Sequence, residues 1–198
     1  IPIITSSEHM KSRILSINKK FLYDELENFE VLLIPGFQGI NNKGELTTLG
    51  RGGSDTSAVA VAAAMETECI IYTDVEGVFT TDPNIVPKAK KINKISYEEM
   101  LELASQGAKV LQTRSVELAM RKNTKLSVRS SFKPKKIGTM ITDEKSVLEN
   151  NTVSGITYSK DEAKITLSRV QDKPGVSSKI FGPLAKGNIN VDMILQNI

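Results

Sequence analysis

Short apolar runs, separated by polar turns and one alanine-rich stretch, set the pattern of the first 142 residues. Residues 31–34 and 69–72 are continuous apolar runs bounded by turn residues, as is typical of buried strands. Residues 56–65 between them are apolar on nearly every face, which is typical of a helix packed closely against a sheet. The order strand, turn, helix, strand is the βαβ pattern and predicts an α/β protein.

The next segment continues this alternation. Ser96 is followed three residues later by Glu99, which is a capping box and predicts a helix that ends near Gly107. A second helix is predicted over residues 110–121, and strands are predicted over residues 126–128 and 139–142.

A second unit is predicted at the end of the chain. Residues 143–152 are polar and lack an apolar period, so we predict a linker between a domain at 1–142 and another at 153–198. In the second domain, strands over residues 165–170 and 189–195 flank a helix marked by Val176, Ile180, Phe181 and Leu184. This βαβ piece is too small to bury both faces of a sheet alone, so we expect it to borrow strands or a partner.

Composition and charge narrow the class of protein. Hydrophobic residues make up 39% and charged residues 25% of the 198 residues, the balance of a globular chain. The net charge of +3 is too small to indicate nucleic-acid binding, and no apolar run reaches the length of a membrane span. One cysteine and one histidine cannot assemble a zinc site, so we predict no metal centre. Cys69 lies in a predicted buried strand, so we predict an inert core thiol, and a single cysteine that cannot form an internal disulfide favours a cytoplasmic location.

The glycine-rich turn at residues 47–55 is the most informative local feature. Glycines let successive backbone N–H groups point into one concavity, and the helix that follows adds the partial positive charge of its N-terminus. Arg51 adds a bidentate donor suited to a carboxylate or a phosphate. The segment matches neither the Walker A loop nor the Rossmann glycine pattern. The alternative is an ordinary helix start capped by Ser54 or Asp55.

Polar residues follow the strand predicted over residues 69–72. Ligands of open parallel sheets bind beyond the carboxyl ends of strands, so Thr73, Asp74 and the loop to Asp82 lie where a nucleotide or substrate could bind. The alternative is that Asp74 and Asp82 only form Asx turns. Lys109 is predicted on a surface loop, where a solvated charge is the simplest interpretation.

Five segments carry more information than composition and spacing. They are GFQG at residues 36–39, TTLGRGGSDT at 47–56, YTDVEGV at 72–78, TDP at 81–83 and GAKVL at 107–111. In this order they closely resemble the motifs of the aspartate kinases, which are members of the amino-acid kinase family. Three later segments resemble the first half of an ACT domain, the regulatory module that follows the kinase domain in that family: residues 172–175, 180–184 and 188–194.

The resemblance implies a fold and an activity. Residues 1–142 would be the carboxyl-terminal, nucleotide-binding part of a three-layer αβα amino-acid kinase fold, followed by a partial ACT unit of ferredoxin-like fold. The implied reaction transfers the γ-phosphoryl group of ATP, with Mg²⁺, to the β-carboxylate of L-aspartate. The product is 4-phospho-L-aspartate, the first intermediate toward lysine, threonine, methionine and diaminopimelate. Glutamate 5-kinase and uridylate kinase share the fold, but the TLGRGGSD motif and the ACT start argue against them.

The family pattern also implies roles for particular residues. Arg51 would pair with the α-carboxylate of aspartate, while Gly52, Gly53 and Ser54 would shape the substrate pocket. Asp55 would be catalytic and would hold the substrate amine or organise catalytic lysines. The implied nucleotide-binding residues are Thr73, Asp74, Phe79, Asn84, Lys109 and Val110.

The ACT resemblance implies regulation and assembly. Lysine or threonine, or both, would be the effector, and pairing of ACT and kinase domains implies a homodimer or a larger assembly. No nucleic acid or membrane partner is expected. The implied effector-binding residues are Asp172, Lys173, Pro174, Gly175, Val176, Asn190 and Asp192.

The chain departs from the family pattern at several places. The opening Lys-Phe-Gly-Gly loop is absent, so we expect a fragment that starts about halfway into the kinase domain and ends inside the first ACT unit. Phe79 stands where Tyr is common, Asn84 where Arg is usual, and Gln112-Thr113 replaces His-Pro. The alternative function is a non-catalytic regulatory or degenerate kinase module that binds an effector amino acid through ACT pairing.

Overall fold

Four short strands near the start of the chain form the first of two sheets. They are β1 (Ile3–Thr5), β2 (Ile14–Ile17), β3 (Gln38–Ile40) and β4 (Leu46–Thr48), in the order β2-β1-β3-β4. The pairs β1/β2 and β3/β4 are antiparallel, and β1 runs parallel to β3. Helix α1 (Lys19–Leu26) follows β2, and its N-cap Asn18 accepts a hydrogen bond of 3.1 Å from the backbone N–H of Phe21.

The second sheet carries most of the core. Its strands are β5 (Cys69–Thr73), β6 (Lys94–Ser96), β7 (Leu126–Ser130) and β8 (Thr139–Thr142), in the order β5-β7-β8-β6. β5 runs parallel to β7 and β6 parallel to β8, while β7 and β8 are antiparallel. The predicted strands over residues 69–72, 126–128 and 139–142 are therefore confirmed.

Three helices cover this sheet: α2 (Gly53–Ala64), α3 (Tyr97–Ser105) and α4 (Thr113–Lys122). α2 packs against both β5 and α4, and α3 packs against α4. The capping box predicted at the start of α3 is present in full. Fully buried side chains between the helices and the sheet include Val59, Ile95, Met100, Val116, Leu126, Val128 and Ile141.

The computed structural model describes residues 1–143, 153–158, 163, 165–170, 173–187, 189, 191 and 194. The chain divides into two units, Ile1–Ser159 and Lys160–Ile198. The first unit mixes helices with strands, which confirms the predicted α/β class. The domain boundaries proposed from the sequence stay a prediction, and residues 144–152 of the predicted linker lie outside the described ranges.

The strand predicted over residues 31–34 is wrong. Val31 is 83% and Leu33 is 97% exposed, and neither belongs to a ladder. A strand forms only where its backbone N–H and C=O groups pair with those of a neighbouring strand. An apolar run in the sequence does not show whether such a neighbour exists. The strand in this part of the chain is β3, which pairs with β4.

The predicted βαβ unit around α2 is also wrong. α2 follows β4, which belongs to the first sheet, and precedes β5, which belongs to the second. The helix therefore joins two sheets instead of crossing over within one.

In the second unit, the predicted helix is confirmed as α5 (Val176–Lys186), which begins after Gly175 at φ +87°. The strand predicted over residues 165–170 is wrong, and Ile165 is 71% exposed. None of residues 165–170 belongs to a strand, and no described segment pairs with them. The strand predicted over residues 189–195 falls mostly outside the described residues.

In the described ranges, no helix combines the length and the apolar character needed to cross a bilayer.

Candidate substrate and nucleotide site

The N-termini of α2 and α4 meet at the carboxyl edge of the second sheet. Each helix is joined to the strand that follows it by a short connection, α2 to β5 and α4 to β7, so each C-terminus lies near the start of its strand. α2 packs along β5 and against α4, which brings both N-termini toward the end where Thr73 and Ser130 are paired. This edge of a parallel strand pair is where ligands of open α/β sheets bind.

The glycine-rich turn brings the backbone at the start of α2 into close contact with its surroundings. Gly50 has φ +78°, and a Cβ on it would lie 2.5 Å from the carbonyl oxygen of Met10. Gly52 has φ +71° and is the N-cap of α2, with no side-chain cap. The alternative that Ser54 or Asp55 caps this helix is therefore wrong, since both lie inside its first turn.

This arrangement leaves donors at the helix start. Within the described part of the chain, the backbone N–H groups of Ser54 and Asp55 have no carbonyl partner, whereas the N–H of Thr56 bonds the carbonyl of Gly52 at 3.1 Å. Unpaired N–H groups at a helix N-terminus favour an anion.

Arg51 stands beside these donors. Its side chain is exposed and makes no hydrogen bond or ion pair with any described residue. A guanidinium without a protein partner next to free backbone donors can bind a carboxylate in a bidentate manner.

Asp55 is the acidic group of this site. It is half-buried, and burial raises the pKa of its carboxyl group, while a hydrogen bond from the backbone N–H of Gln112 acts in the opposite direction. Burial, together with the nearby charge of Asp55, raises the pKa of Cys69 to about 11. The Cys69 thiol is buried in β5, which confirms the prediction of a core thiol.

The residues predicted to bind the nucleotide fall into two groups. Thr73 ends β5, and its hydroxyl donates to Oδ1 of the exposed Asp74 at 3.1 Å. Lys109 is exposed and Val110 is partly buried against the core, and both immediately precede the N-terminus of α4. These four residues lie at the same edge as Arg51.

Phe79 and Asn84 lie farther along the loop after β5. Phe79 forms an isolated bridge with Lys91, and Asn84 sits in a turn in which its N–H donates to Oδ1 of Asp82 at 2.9 Å. The Asx-turn interpretation of Asp82 is thus confirmed. Among the described residues, no hydrogen bond or strand pairing joins Phe79 or Asn84 to the glycine-rich turn.

Contacts hold the loops at this edge. The backbone N–H and the hydroxyl of Ser131 both donate to the carbonyl of Thr73 at 2.8 Å. Glu76 lies 2.5 Å from Nζ of Lys133 and 3.7 Å from Nζ of Lys136. The hydrogen bond from Lys133 lowers the pKa of the Glu76 carboxyl group.

Two residues that shape the site were not identified from the sequence. The guanidinium of Arg114 donates to the carbonyls of Leu49 and Ser12, both at 2.9 Å, and so ties the glycine-rich turn to the first sheet. Arg114 occupies the first turn of α4, where the helix dipole disfavours a cation. A cation at that position in the sequence could have indicated that Arg114 has a specific hydrogen-bond partner. Gln112, noted only as a departure from the family pattern, is the N-cap of α4 and contacts Asp55.

Part of the predicted effector site is described. Lys173, Pro174 and Gly175 form the turn before α5, and Val176 is its first residue. Asp172, Asn190 and Asp192 lie outside the described residues. Within those residues, no group of three or more His, Cys, Asp or Glu side chains could hold a metal ion.

Known proteins resemble this chain over its whole length. A model of the amino acid kinase family matches residues 2–130. An aspartate kinase of Pseudomonas putida is 52% identical over 200 residues, which span 100% of this chain and 48% of that protein. An aspartokinase of Helicobacter pylori is 52% identical over 99% of this chain and 49% of its own length.

Solved structures agree. The crystal structure of E. coli aspartokinase III in complex with aspartate and ADP has a TM-score of 0.70 and 29% identity, over 99% of this chain and 45% of that one. The same enzyme in complex with lysine and aspartate has a TM-score of 0.77 and 30% identity. The chain thus spans about half the length of the curated relatives it matches. The predicted resemblance to aspartate kinases and the amino-acid kinase fold are confirmed, and the chain belongs to the amino acid kinase family.

Proposed function

We propose that this chain is part of an aspartate kinase, in which the β-carboxylate oxygen of L-aspartate attacks the γ-phosphorus of ATP. The bond between the γ-phosphorus and the β,γ-bridging oxygen breaks, ADP leaves, and 4-phospho-L-aspartate forms. One observation carries the proposal: two helix N-termini meet at the carboxyl edge of the β5–β7 pair together with Arg51, which has no partner among the described residues. Phosphoryl transfer depends mainly on positioning and charge neutralisation, which such an edge provides.

On the substrate side, Arg51 binds the α-carboxylate of aspartate, with the free N–H groups of Ser54 and Asp55 as further donors. Gly52 and Gly53 shape the pocket by letting the turn pack closely, because a Cβ on Gly52 would overlap Gln112 and a Cβ on Gly53 would overlap Leu49 and Phe37. Asp55 then holds the substrate ammonium group, since its carboxylate is the acidic group of this turn.

On the nucleotide side, we assign ATP to Thr73, Asp74, Lys109 and Val110, with Phe79 and Asn84 as outer contacts of the loop. Mg²⁺ in nucleotide sites is held by phosphate oxygens and one or two carboxylates, and the exposed Asp74 has that chemistry. When bound, Mg²⁺ neutralises developing charge on the phosphates.

Two similar structures support the substrate, nucleotide and effector assignments. E. coli aspartokinase III is described in complex with aspartate and ADP, and also in complex with lysine and aspartate. We propose the same substrate and nucleotide for this protein, lysine or threonine as effector at the turn before α5, a homodimeric or larger assembly, and a cytoplasmic location.

Titrations of this chain followed by nuclear magnetic resonance test the substrate side. L-Aspartate is expected to shift the backbone signals of residues 52–55, and L-glutamate to do so only at much higher concentration. Arg51→Ala is expected to weaken aspartate binding about tenfold to about 150-fold, the value of one lost charge-assisted hydrogen bond. MgADP binding is expected to stay within about twofold, because Arg51 serves only the amino acid.

Arg121→Ala is the matched control. Arg121 lies in the last turn of α4, and its one ion pair with a described residue is a surface contact of 3.9 Å with Glu117. Its removal is expected to change neither ligand's affinity. An Arg51→Ala chain that binds aspartate as well as the wild type would refute the assignment, and a wild-type chain that binds no MgADP would favour the non-catalytic module.

A further inference from the structure

Gln112 is in contact with the glycine-rich turn through both its backbone and its side chain. Its N–H donates to the carboxylate of Asp55, and its carbonyl accepts from the N–H and the hydroxyl of Ser115 at 2.9 and 2.7 Å. Its side chain covers Gly52, because a Cβ placed on Gly52 would lie 2.0 Å from Cγ, 2.5 Å from Cβ and 2.9 Å from Cδ of Gln112. Gln112 thereby joins the start of α4 to the start of α2.

The contact falls at the position that sets the direction of the turn. Gly52 has left-handed backbone geometry, at φ +71°, and α2 has no side-chain cap to fix its first residue. Arg51 immediately precedes Gly52 and makes no hydrogen bond or ion pair with the described residues. The packing of Gln112 on Gly52 is therefore a direct restraint on the backbone that carries the Arg51 guanidinium.

We propose that Gln112 is a positioning residue: packed on Gly52, its side chain fixes the turn that presents Arg51 and so sets the affinity for the amino-acid substrate. This inference rests on the proposed function, because it takes Arg51 as the ligand of the substrate carboxylate. It predicts that the side chain of Gln112 affects the affinity for the amino-acid substrate. The affinity for the nucleotide, which we assign to the end of β5 and to Lys109, should not depend on it.

A binding experiment separates this role from a merely structural one. Gln112→Gly removes every side-chain atom over Gly52 and is expected to weaken L-aspartate binding at least about threefold, within the range of couplings between contacting residues. MgADP binding is expected to stay within about twofold. Thr113→Ala, at the exposed neighbouring position, is the matched control and is expected to change neither affinity.

A double-variant cycle tests the contact itself. Gly52→Ala introduces a Cβ that overlaps Gln112 and is also strained in the left-handed region, so it is expected to weaken aspartate binding more than Gln112→Gly. With Gln112→Gly in the same chain, the overlap disappears, and the combined loss is expected to be smaller than the product of the two single losses.

The possible outcomes distinguish the two proposals. If the wild-type chain binds aspartate and Gln112→Gly binds it equally well, the positioning role is overturned and the proposed function stands. Equal losses for aspartate and MgADP, or a cycle in which the two losses simply multiply, would also overturn it. If the wild-type chain does not bind aspartate at all, the proposed function fails and this inference fails with it.

Discussion

Thr139→Val tests how the loop after β5 is held. Thr139 is 1% exposed at the start of β8, and its hydroxyl accepts from the N–H of Val78 at 2.8 Å and donates to the carbonyl of Ile92 at 2.5 Å. The hydroxyl thus joins both ends of the loop that contains Phe79 and Asn84 to the sheet. Valine has nearly the same shape and suits a strand, so the substitution removes the hydrogen bonds without opening a cavity.

The expected magnitude follows from what is left unpaired. Val78 is 1% exposed, so its N–H loses its acceptor in a place that water does not reach. A buried donor without a partner costs about 1–3 kcal/mol, and the lost bond to Ile92 adds to this. We expect a loss of about 2 kcal/mol in the free energy of unfolding, which lowers Tm by about 4–8 °C for a chain of this size.

Urea unfolding and amide hydrogen exchange measure this effect. The amide of Val78 is expected to exchange much faster in Thr139→Val, whereas amides in α1 keep their protection. Thr67→Val is the matched control, since Thr67 is exposed and its hydroxyl makes no hydrogen bond with described residues. Unchanged stability together with unchanged protection of Val78 would refute the view that this hydroxyl anchors the loop.

Two further substitutions have defined outcomes. Because burial raises the pKa of Asp55, the folded chain binds a proton at this carboxyl group more tightly than the unfolded chain does. The stability that the group contributes is therefore fully present below its unfolded pKa and is lost as pH rises through its folded pKa. Asp55→Asn should therefore have a higher free energy of unfolding than the wild type at neutral pH, and urea titrations should show this difference vanish in acid. In a complete aspartate kinase containing this chain, we expect the same substitution to lower kcat far more than it lowers ADP affinity. Ser96→Ala removes a capping box in which Oγ of Ser96 accepts from the N–H of Glu99 at 3.1 Å. Urea unfolding should show a loss of about 1 kcal/mol in the free energy of unfolding, and Ser96→Thr should restore most of it.

The elements that the sequence predicted correctly have local signals. The capping box of Ser96 and Glu99 defines the start of α3 without reference to any distant residue. The apolar run at residues 69–72 became β5, and the short extended segments at 126–128 and 139–142 became β7 and β8, which pair in the same sheet. In the site, glycines and an arginine before a helix have a direct physical meaning, which pointed to Arg51, whereas the role proposed for Asp55 came only from the resemblance to aspartate kinases.

The elements that the sequence missed depend on pairing. The hairpin of β3 and β4 contains mostly polar residues and glycine, whereas the apolar residues 31–34 have no partner. The turn between β3 and β4 did have a signal in the sequence, because Asn41 and Gly44 are residues typical of a hairpin turn. In the structure, Asn41 Oδ1 accepts from two backbone N–H groups and Gly44 has φ +77°. The contacts of Gln112 with Gly52 and of Arg114 with Ser12 join residues far apart in sequence, and no local pattern specifies such pairs.

The half-buried carboxyl group of Asp55 adds a second physical argument that this edge of the sheet binds a ligand, beside the two helix N-termini and Arg51. Burial makes the ionised carboxylate unfavourable, and the hydrogen bond from Gln112 only partly offsets the effect, so the pKa remains raised. An asparagine could accept the same hydrogen bond without the cost of burying a charge. A substrate ammonium group beside Asp55 would favour the ionised form, because an opposite charge lowers the pKa of a carboxyl group. The stability lost in the free chain would then be recovered on binding, which is the pattern expected of a group retained for its ligand and not for the fold.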